Sequence, residues 1–350
     1  MQILIGDKRV GDGCPFYTIA EVGSNFDGSM DRAKKLIDLA KAAGADAVKF
    51  QCFLPDKIVS KEGFEGLKAG FQSKWEKPVY EVYKDATFPR DWNRELMEYS
   101  KRACITYFSS PYDKEAVDIL DAIDVPAFKI GSGDITWLEM LRYIAKKNKP
   151  VILGTGASSM EDIKEAVDTI FSTGNKQLIL LQCVTNYPST FESANIRTVP
   201  LLREKFGTLA GYSDHTPGSI VALGTLALGG CMIEKHFTDD KKRKGPDHPF
   251  AMDFADFKKM VDDIRLLEKA LGNPVKEVYK EEQETVILQR RCIRAAANIP
   301  KGAVLNSDSL TVLRPAPKGS LHPKEINDLI GKKAMKDIKK GECISFEFVR

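Results

Sequence analysis

The chain has 350 residues, with 52 basic and 49 acidic side chains and a net charge of +3. This length exceeds one ordinary domain and suits a barrel followed by a small module. So close a charge balance argues against nucleic acid as the main partner, because nucleic-acid-binding proteins carry a clear excess of basic side chains.

The N-terminus and the apolar runs predict a cytoplasmic protein that does not enter a membrane. MQILIGDKRVGDG lacks the apolar stretch of a signal peptide. The longest uncharged run, 216–233, contains proline and several glycines and indicates a helix, a turn and a strand rather than a span. The seven cysteines form no Cys-x-x-Cys pattern, and Cys52, Cys104, Cys183 and Cys231 lie in apolar runs, which is typical of buried thiols in a reducing compartment.

Taken in order, the chain predicts a hairpin over 2–13 and then a regular alternation of strands and helices. Short apolar runs predict eight buried strands, at 16–22, 45–50, 104–109, 126–130, 150–153, 177–183, 208–211 and 231–233. Patterns with helical spacing separate them, at 30–43, 90–102, 113–122, 136–147, 158–171, 199–206, 219–228 and 255–271. Capping boxes are expected at Thr136 with Glu139 and at Ser158 with Glu161. Eight such units in series predict a (β/α)8 TIM barrel over 1–271.

Two other segments depart from this alternation. Residues 53–88 are rich in aromatic residues and lysines and show little periodicity, which predicts a long functional or mobile insertion whose role the sequence leaves open. After Gly272 a polar linker is predicted over 272–288, followed by a small mostly-β module over 289–350.

Polar side chains follow the predicted strands at the ends where a barrel carries its chemistry. We expect these residues to converge: Glu21, Lys49, Gln51, Ser110, Lys129, Ser132, Asp134, Tyr187, Ser213 and Glu234. Hydroxyls, glycines and two lysines on one face suit a phosphorylated, acidic ligand. The alternation of its strand turns Lys49 inward, with Glu21 as its expected partner, whereas Lys129 can alternatively form a structural salt bridge and Ser132 an ordinary turn.

Two histidines follow the last two predicted strands. His215 and His236 present imidazoles next to the carboxylates Asp214, Glu234 and Asp247, a combination that suits a divalent transition metal. The alternative is a pair of surface histidines beside turns. The neighbouring basic run 241–244 is either a solvated loop or a source of anion attraction.

At this point several motifs resemble the sialic acid synthase family, whose members condense phosphoenolpyruvate (PEP) with an N-acetylhexosamine to give a nine-carbon 2-keto acid and phosphate. These motifs are AEVGSN at 20–25, KFQ at 49–51, KIGSGD at 129–134, YSDH at 212–215, EKHFTD at 234–239 and GPDH at 245–248. In the C-terminal part, IPKGAVLNSDSL and Arg314-Pro315 resemble an antifreeze-like SAF module.

The resemblance implies a role for each matching residue. His215 and His236 would hold a divalent metal, most often manganese, with magnesium or cobalt as alternatives. The catalytic set would be Glu21, Lys49, Lys129, Asp134 and Glu234, and the substrate-binding set Gln51, Ser110, Ser132, Tyr187, Ser213, Asp247 and Arg314. Arg314 would reach the barrel of a partner subunit, which implies a swapped homodimer. Asp134 stands where many bacterial members have glutamate, and such departures leave the identity of the amino sugar open.

Two alternatives remain. A synthase of another 2-keto sugar acid would use the same PEP chemistry on a sugar phosphate, and the SAF-like module argues against it. A non-catalytic carbohydrate-binding barrel would not need Lys49, Lys129, His215 and His236 together.

Overall fold

The computed structural model describes residues 1–67, 70, 72 and 75–350. The chain forms two compact units, Met1–Gly272 and Asn273–Arg350. Among the described residues, no helix has both the length and the apolar composition needed to cross a membrane.

The N-terminal unit is built on a hairpin and a barrel. Strands β1 (Gln2–Ile5) and β2 (Lys8–Gly11) pair in antiparallel fashion. The barrel strands are β3 (Tyr17–Glu21), β4 (Ala47–Cys52), β5 (Thr106–Pro111), β6 (Phe128–Ile130), β7 (Val151–Gly154), β8 (Leu178–Cys183), β9 (Leu209–Asp214) and β10 (Met232–His236). They lie in the order β5-β4-β3-β10-β9-β8-β7-β6, and β5 also contacts β6, which closes the parallel sheet. The predicted (β/α)8 barrel is confirmed.

Helices connect the strands on the outside of the barrel. The principal ones are α1 (Met30–Ala42), α5 (Trp92–Arg102), α6 (Lys114–Ala122), α7 (Leu138–Ala145), α8 (Met160–Ser172), α10 (Thr198–Phe206), α11 (Ile220–Ala227) and α12 (Phe254–Leu271). The described residues of the 53–88 segment include the short helices α2 (Pro55–Ile58), α3 (Lys61–Phe64) and α4 (Val79–Asp85), and α9 (Phe191–Ala194) follows β8. Residues 68, 69, 71, 73 and 74 of that segment lie outside the described residues.

Of the two predicted capping boxes, the first is absent and the second is displaced by one residue. Helix α7 begins after Trp137 with no side-chain cap, because a 3-10 turn at Ser132–Asp134 and the bends after it already occupy the approach to the helix. The second box is formed one residue later, by Ser159 and Asp162, whose side chains each bond the backbone of the other. Both errors are local and leave the order of elements unchanged.

An apolar layer fills the barrel below the site. It includes Ile19, Ala47, Phe108, Ala127, Ile152, Leu181 and Met232, and Ile3, Ile5 and Val10 of the β1–β2 hairpin join the same cluster. The hairpin therefore closes the amino-terminal end of the barrel. Because side chains alternate along a strand, the residue two positions further on points into the barrel one layer higher. That next layer contains Glu21, Lys49, Ser110, Lys129, Cys183 and Glu234, so the strand period itself places the polar side chains together.

Three of the four cysteines predicted to be buried are so: Cys52, Cys183 and Cys231. Cys104 is exposed, because it occupies a left-handed position (φ 55°) in the turn between α5 and β5.

The C-terminal unit is small and mostly irregular. The segment predicted as a linker contains α13 (Gln283–Gln289), and strands β11 (Cys292–Ala295) and β12 (Leu310–Leu313) then pair in antiparallel fashion. Its core includes Ile293, Leu305 and Ile344. Arg314 follows β12 directly and is exposed.

Candidate active site

A cavity of about 370 Å³ is lined by residues at the carboxyl ends of the barrel strands. Its described lining includes these residues predicted from the sequence: Glu21, Lys49, Gln51, Lys129, Ser132, Asp134, Tyr187, Ser213, His215, Glu234, His236 and Asp247. Ser110 is not part of the described cavity lining but contacts it through Lys49, since its hydroxyl accepts a hydrogen bond from the Lys49 ammonium at 3.3 Å. Arg314 belongs to the other unit.

The first pair of charges is Lys49 with Glu21. The parallel register of β3 and β4 sets these residues side by side, and the Lys49 Nζ lies 2.6 Å from Glu21 Oε2. Gln51, two residues after Lys49 on β4, donates to the other oxygen of Glu21 at 2.6 Å. Both members of the pair are almost completely buried, and a buried lysine is tolerated only with such a partner.

The second pair is Lys129 with Glu234, which lie on opposite sides of the barrel interior. Lys129 Nζ is 3.0 Å from Glu234 Oε1, Ser213 donates to the same oxygen at 3.0 Å, and Lys49 Nζ lies 3.7 Å from Glu234 Oε2. Burial alone would raise the pKa of Glu234, but the ammonium groups of Lys129 and Lys49 outweigh it and lower that pKa. Lys129 is therefore in the salt bridge that the sequence allowed, and this salt bridge faces the cavity.

Two glycines bring backbone close to Ser132. Gly156 donates its N–H to Ser132 Oγ at 2.9 Å, and a Cβ added at Gly154 would come within 2.7 Å of the same oxygen. A Cβ at Gly156 would meet the Thr185 side chain at 2.7 Å. The Gly-Thr-Gly sequence after β7 is thus required by close packing against the Ser132 turn, which lies at the cavity wall.

Asp134 is a carboxylate without an ion-pair partner within salt-bridge distance among the described residues. Burial raises its pKa to about 6, an effect that Lys129 only partly offsets. At neutral pH the group is therefore close to the range in which it can exchange a proton.

The two histidines face each other across the cavity. His215 and His236 are both buried, so the alternative of a surface pair is wrong, and their ring centroids are 5.5 Å apart. His215 Nδ1 bonds the carbonyl of Val184 at 2.8 Å, which directs Nε2 away from that carbonyl. Burial and the neighbouring His236 lower the pKa of His215 to about 3, so its imidazole is neutral at physiological pH.

Donor atoms for a cation are present around this pair. The buried Nδ1 of His236 has no hydrogen-bond partner, and Asp247 Oδ2 lies 3.9 Å from it. Within the described parts of the chain, no group of three or more His, Cys, Asp or Glu side chains is already arranged as a metal site. A bound cation would accordingly take two imidazole nitrogens from the protein and complete its coordination with water, substrate or a shifted carboxylate.

Asp247 is held by the loop after β3. Ser24 donates both its N–H and its hydroxyl to Asp247 Oδ2, each at 2.9 Å. Gly23 has a left-handed backbone (φ 54°), and a Cβ there would collide with the Asp247 carboxylate. The approach of the two loops therefore depends on a glycine at position 23.

Sequence reasoning missed Phe250 and Ser24. The Phe250 ring lies 4.9 Å from the His236 ring and 5.4 Å from that of Tyr187, which itself lies 4.0 Å from His215. Its position just after the GPDH motif was the available signal. The basic run 241–244 is outside the described cavity lining. Two of its four charges are already paired, Lys241 with Asp253 and Arg243 with Asp27.

Comparison with known proteins decides the family. The sequence model of the NeuB family matches residues 36–276, and that of the SAF domain matches residues 290–350. The chain belongs to the NeuB family. The resemblance to sialic acid synthases seen in the motifs is thereby confirmed.

Relatives of this NeuB-family chain are synthases of different sugar acids. It is 36% identical to the N,N'-diacetyllegionaminic acid synthase of Campylobacter jejuni, over 93% of this chain and 98% of that protein. It is 34% identical to the human N-acetylneuraminate-9-phosphate synthase, over 98% and 95% of the two chains. A solved N-acetylneuraminic acid synthetase from Leptospira borgpetersenii is 31% identical and superposes with a TM-score of 0.73 over 82% of this chain and 95% of that one.

Proposed function

We propose that this protein condenses PEP with an N-acetylhexosamine, either N-acetylmannosamine or a 2,4-diacetamido-6-deoxyhexose, to a nine-carbon 2-keto sugar acid, with release of phosphate. The observation that carries the proposal is the pair of buried lysines, Lys49 and Lys129, which lie among hydroxyls in the barrel interior below the cavity opening. Lysine ammonium groups supply the charge that a carboxylate or phosphate needs. Ser132 supplies a hydroxyl at the cavity wall, and Ser110 and Ser213 hold Lys49 and Glu234 in place.

The balance of charge in the cavity supports a requirement for a divalent cation. Its described lining contains four carboxyl groups, those of Glu21, Asp134, Glu234 and Asp247, but only the two ammonium groups of Lys49 and Lys129. With the His215 imidazole neutral, an anionic substrate such as PEP would enter a site where carboxyl groups outnumber ammonium groups. A cation held by His215 and His236, most readily Mn²⁺ with Mg²⁺ or Co²⁺ as alternatives, would cancel that excess of negative charge.

The residues divide the reaction between them. The cation, when bound, supplies Lewis acidity towards the aldehyde oxygen of the sugar. The Lys49 and Lys129 ammonium groups orient PEP so that its carbon 3 faces the aldehyde carbon. As the new carbon–carbon bond forms, positive charge develops at carbon 2, where Glu21 and Glu234 stabilise it. Asp134, whose proton is exchangeable near neutral pH, positions the water that adds to carbon 2 before phosphate leaves.

The lining of the cavity favours an uncharged acceptor. Phe53, Ile58, Val82, Tyr83 and Phe250 give it an apolar side. In the described lining the cations are Lys49 and Lys129, both already paired with carboxylates, which leaves no separate charge for a phosphate on the sugar. This balance favours a free sugar over the sugar phosphates used by other PEP-dependent synthases.

A substrate panel tests the reaction. The purified protein with PEP and Mn²⁺ is given N-acetylmannosamine, its 6-phosphate and the 2,4-diacetamido-6-deoxyhexoses, and inorganic phosphate and 2-keto acid are measured together. We expect equal release of both with one free 2-acetamido sugar. No phosphate release with any of them would refute the proposal, and a strong preference for the 6-phosphate would refute its assignment of a free acceptor.

The metal assignment has its own test. His236→Ala removes one of the two imidazoles and should weaken Mn²⁺ binding by more than the roughly tenfold typical of changes behind the ligands. His322→Ala, an exposed histidine of the C-terminal unit, is the matched control and should bind Mn²⁺ as the wild type does. Equal Mn²⁺ affinity of His236→Ala and wild type by isothermal titration calorimetry would show that His236 is not a ligand.

The proposal includes a swapped homodimer, in which Arg314 of one subunit serves the barrel of the other. Arg314 is exposed at the end of β12, and its planar guanidinium can bind two oxygen atoms of a sugar at once. Two inactive variants, Lys129→Ala and Arg314→Ala, should regain activity when mixed and allowed to exchange subunits, because one site of the heterodimer then has both wild-type parts. A mixture that stays inactive despite proven exchange, or a monomer by light scattering, would rule out the swap.

A further inference from the structure

A buried lysine stands between two residues of the site but points away from the cavity. Lys235 lies between Glu234 and His236 on β10, and its side chain is 3% exposed. Its neighbours on the same outward face, Ile233 and Phe237, belong to the apolar core between barrel and helices. A charged residue in such a row is an exception that requires an explanation.

All the hydrogen bonds of the Lys235 ammonium group go to one short segment, residues 214–218, at the end of β9 and the start of the connection to β10. The register of β9 and β10 sets it beside Asp214, and its Nζ lies 2.8 Å from Asp214 Oδ2. It also donates to the carbonyl oxygens of Thr216 at 2.7 Å and Gly218 at 2.9 Å. The three protons of the ammonium group are thus all used.

The same segment is tightened further by Asp214. Its second oxygen, Oδ1, accepts from the N–H of Thr216 at 2.8 Å and from the Thr216 hydroxyl at 2.7 Å. Residues 214, 216 and 218 are therefore tied to β10 as one unit, and His215 lies inside it. On its other side His215 is held by the Val184 carbonyl and by the N–H of Ser189, which donates to the His215 carbonyl at 3.0 Å.

We infer that Lys235 is a positioning residue that sets the separation of the imidazoles of His215 and His236. It bonds both sides of His215, and it precedes His236 directly on a strand. The inference rests on the proposed function in one respect, that these two imidazoles hold the divalent cation. Two ligands must keep a fixed spacing to bind one ion, and a loop fastened to the strand of the other ligand provides it.

Stability alone does not account for this lysine. Replacing a buried ion pair by apolar residues of similar volume is often neutral or stabilising, and the outward face of β10 already has an apolar row to continue. An ammonium group does what an apolar side chain cannot, since it reaches three separate acceptors on the chain that carries His215.

The test compares Lys235→Met with wild type in the intact protein, by Mn²⁺ titration calorimetry. Methionine keeps most of the length of the side chain and removes its charge. We expect Mn²⁺ affinity to fall by about tenfold or more. Lys147→Met is the matched control: Lys147 pairs with Asp118 at 2.8 Å and Asp121 at 3.0 Å on the outer helices, and its loss should leave Mn²⁺ affinity unchanged.

A second readout needs no metal. With ring-labelled histidine, the NMR signals of His215 and His236 should shift or double in metal-free Lys235→Met, whereas that of His322 should stay in place. A merely stabilising residue would leave all these signals unchanged while lowering Tm. Asp214→Asn, which keeps the shape of the partner, should shift the same two signals and supplies the comparison if Lys235→Met does not fold.

The outcomes separate the inference from the function on which it rests. If wild type and His236→Ala bind Mn²⁺ equally, the metal assignment fails, and the NMR comparison still decides the role of Lys235. If wild type binds Mn²⁺ through His236 but Lys235→Met matches the wild type in affinity and in its histidine signals, the positioning role is wrong.

Discussion

The carboxyl group of Asp134 shows how burial prepares one residue of the site. Burial raises its pKa from 3.8 to about 6, so the folded protein binds this proton more tightly than the unfolded chain does. The contribution of the group to folding is therefore fully present below pH about 4 and is lost as the pH rises through about 6. At neutral pH the ionised carboxylate therefore lowers the free energy of unfolding, which indicates that Asp134 is present for function rather than stability.

Asp134→Asn should consequently stabilise the protein more at pH 8 than at pH 4.5, because asparagine never has to ionise. We expect a rise in Tm of about 2–4 °C at the higher pH. Thermal unfolding of both proteins by circular dichroism at the two pH values measures it. An equal difference at both pH values would show that the pKa of Asp134 is not raised.

At the scale of the element, β9 and β10 approach so closely that Gly211 has no room for a side chain. A Cβ at Gly211 would lie 2.5 Å from the carbonyl oxygen of Met232 and 2.7 Å from its Cγ. Ser213, two residues further on β9, bonds Glu234 on β10. The spacing of these strands therefore also sets the geometry of the polar layer.

Gly211→Ala should destabilise the protein by about 1–3 kcal/mol, since backbone has to move to admit the methyl group. Gly224→Ala is the matched control: in α11 the new methyl group would meet only the flexible end of Ile196, and alanine is the better helix former by about 1 kcal/mol. In urea unfolding, the free energy of unfolding should therefore fall for Gly211→Ala and should rise or stay the same for Gly224→Ala. Similar losses in both would indicate that Gly211 is not a close-contact position.

The ends of these strands also show how far the sequence alone could go. The apolar runs predicted strands at 208–211 and 231–233, whereas β9 extends to Asp214 and β10 to His236. Reading for apolar residues stops at the first polar one, but here the polar layer is still part of the hydrogen-bonded ladder, with Ser213 beside Glu234. The number and order of strands, and the inward direction of Lys49, follow from pattern and period, and the site residues follow from motifs.

What the sequence could not supply depends on the shapes of connections. The bonds from Lys235 to the carbonyls of Thr216 and Gly218 require the actual path of that loop. Phe250 lies beside His236 because of a 3-10 turn, His248–Phe250, which the spacing of apolar residues in the sequence does not predict. In each case the two contacting residues are separated in sequence, and the loop that brings them together has no regular backbone conformation.

At the scale of the whole molecule, seven thiols are distributed over both units, and two of them lie close together. Cys292 and Cys343 have sulfur atoms 3.6 Å apart. Backbone hydrogen bonding pairs Arg294 with Cys343 in an isolated antiparallel β-bridge. Cys292 lies two residues before Arg294 on β11, so its side chain is on the same face of the strand as that of Arg294. The sulfur atoms would have to approach by only about 1.5 Å to form a disulfide.

Mild oxidation with oxidised glutathione should therefore join Cys292 to Cys343, with the two thiol hydrogens and two electrons passing to the reagent, which is reduced to free glutathione. Peptide mapping by mass spectrometry should find this pair, and Cys343→Ser should abolish it. The crosslink should stabilise the C-terminal unit by about 2–4 kcal/mol. Mixed disulfides at the exposed Cys104, with Cys292 and Cys343 left reduced, would contradict the expectation.

The β1–β2 hairpin has a consequence for the order in which substrates bind and products leave. Because Ile3, Ile5 and Val10 seal the amino-terminal end of the described barrel, reactants and products have to enter and leave at the carboxyl ends of the strands. Lys49 is 2% exposed and lies one layer above the sealed floor, so the reactant it binds occupies the bottom of a blind passage. Under the proposed reaction, PEP has to arrive before the sugar, and the sugar acid has to depart before the next PEP can enter. Initial-rate kinetics should then show a compulsory order, with the sugar acid competing against PEP.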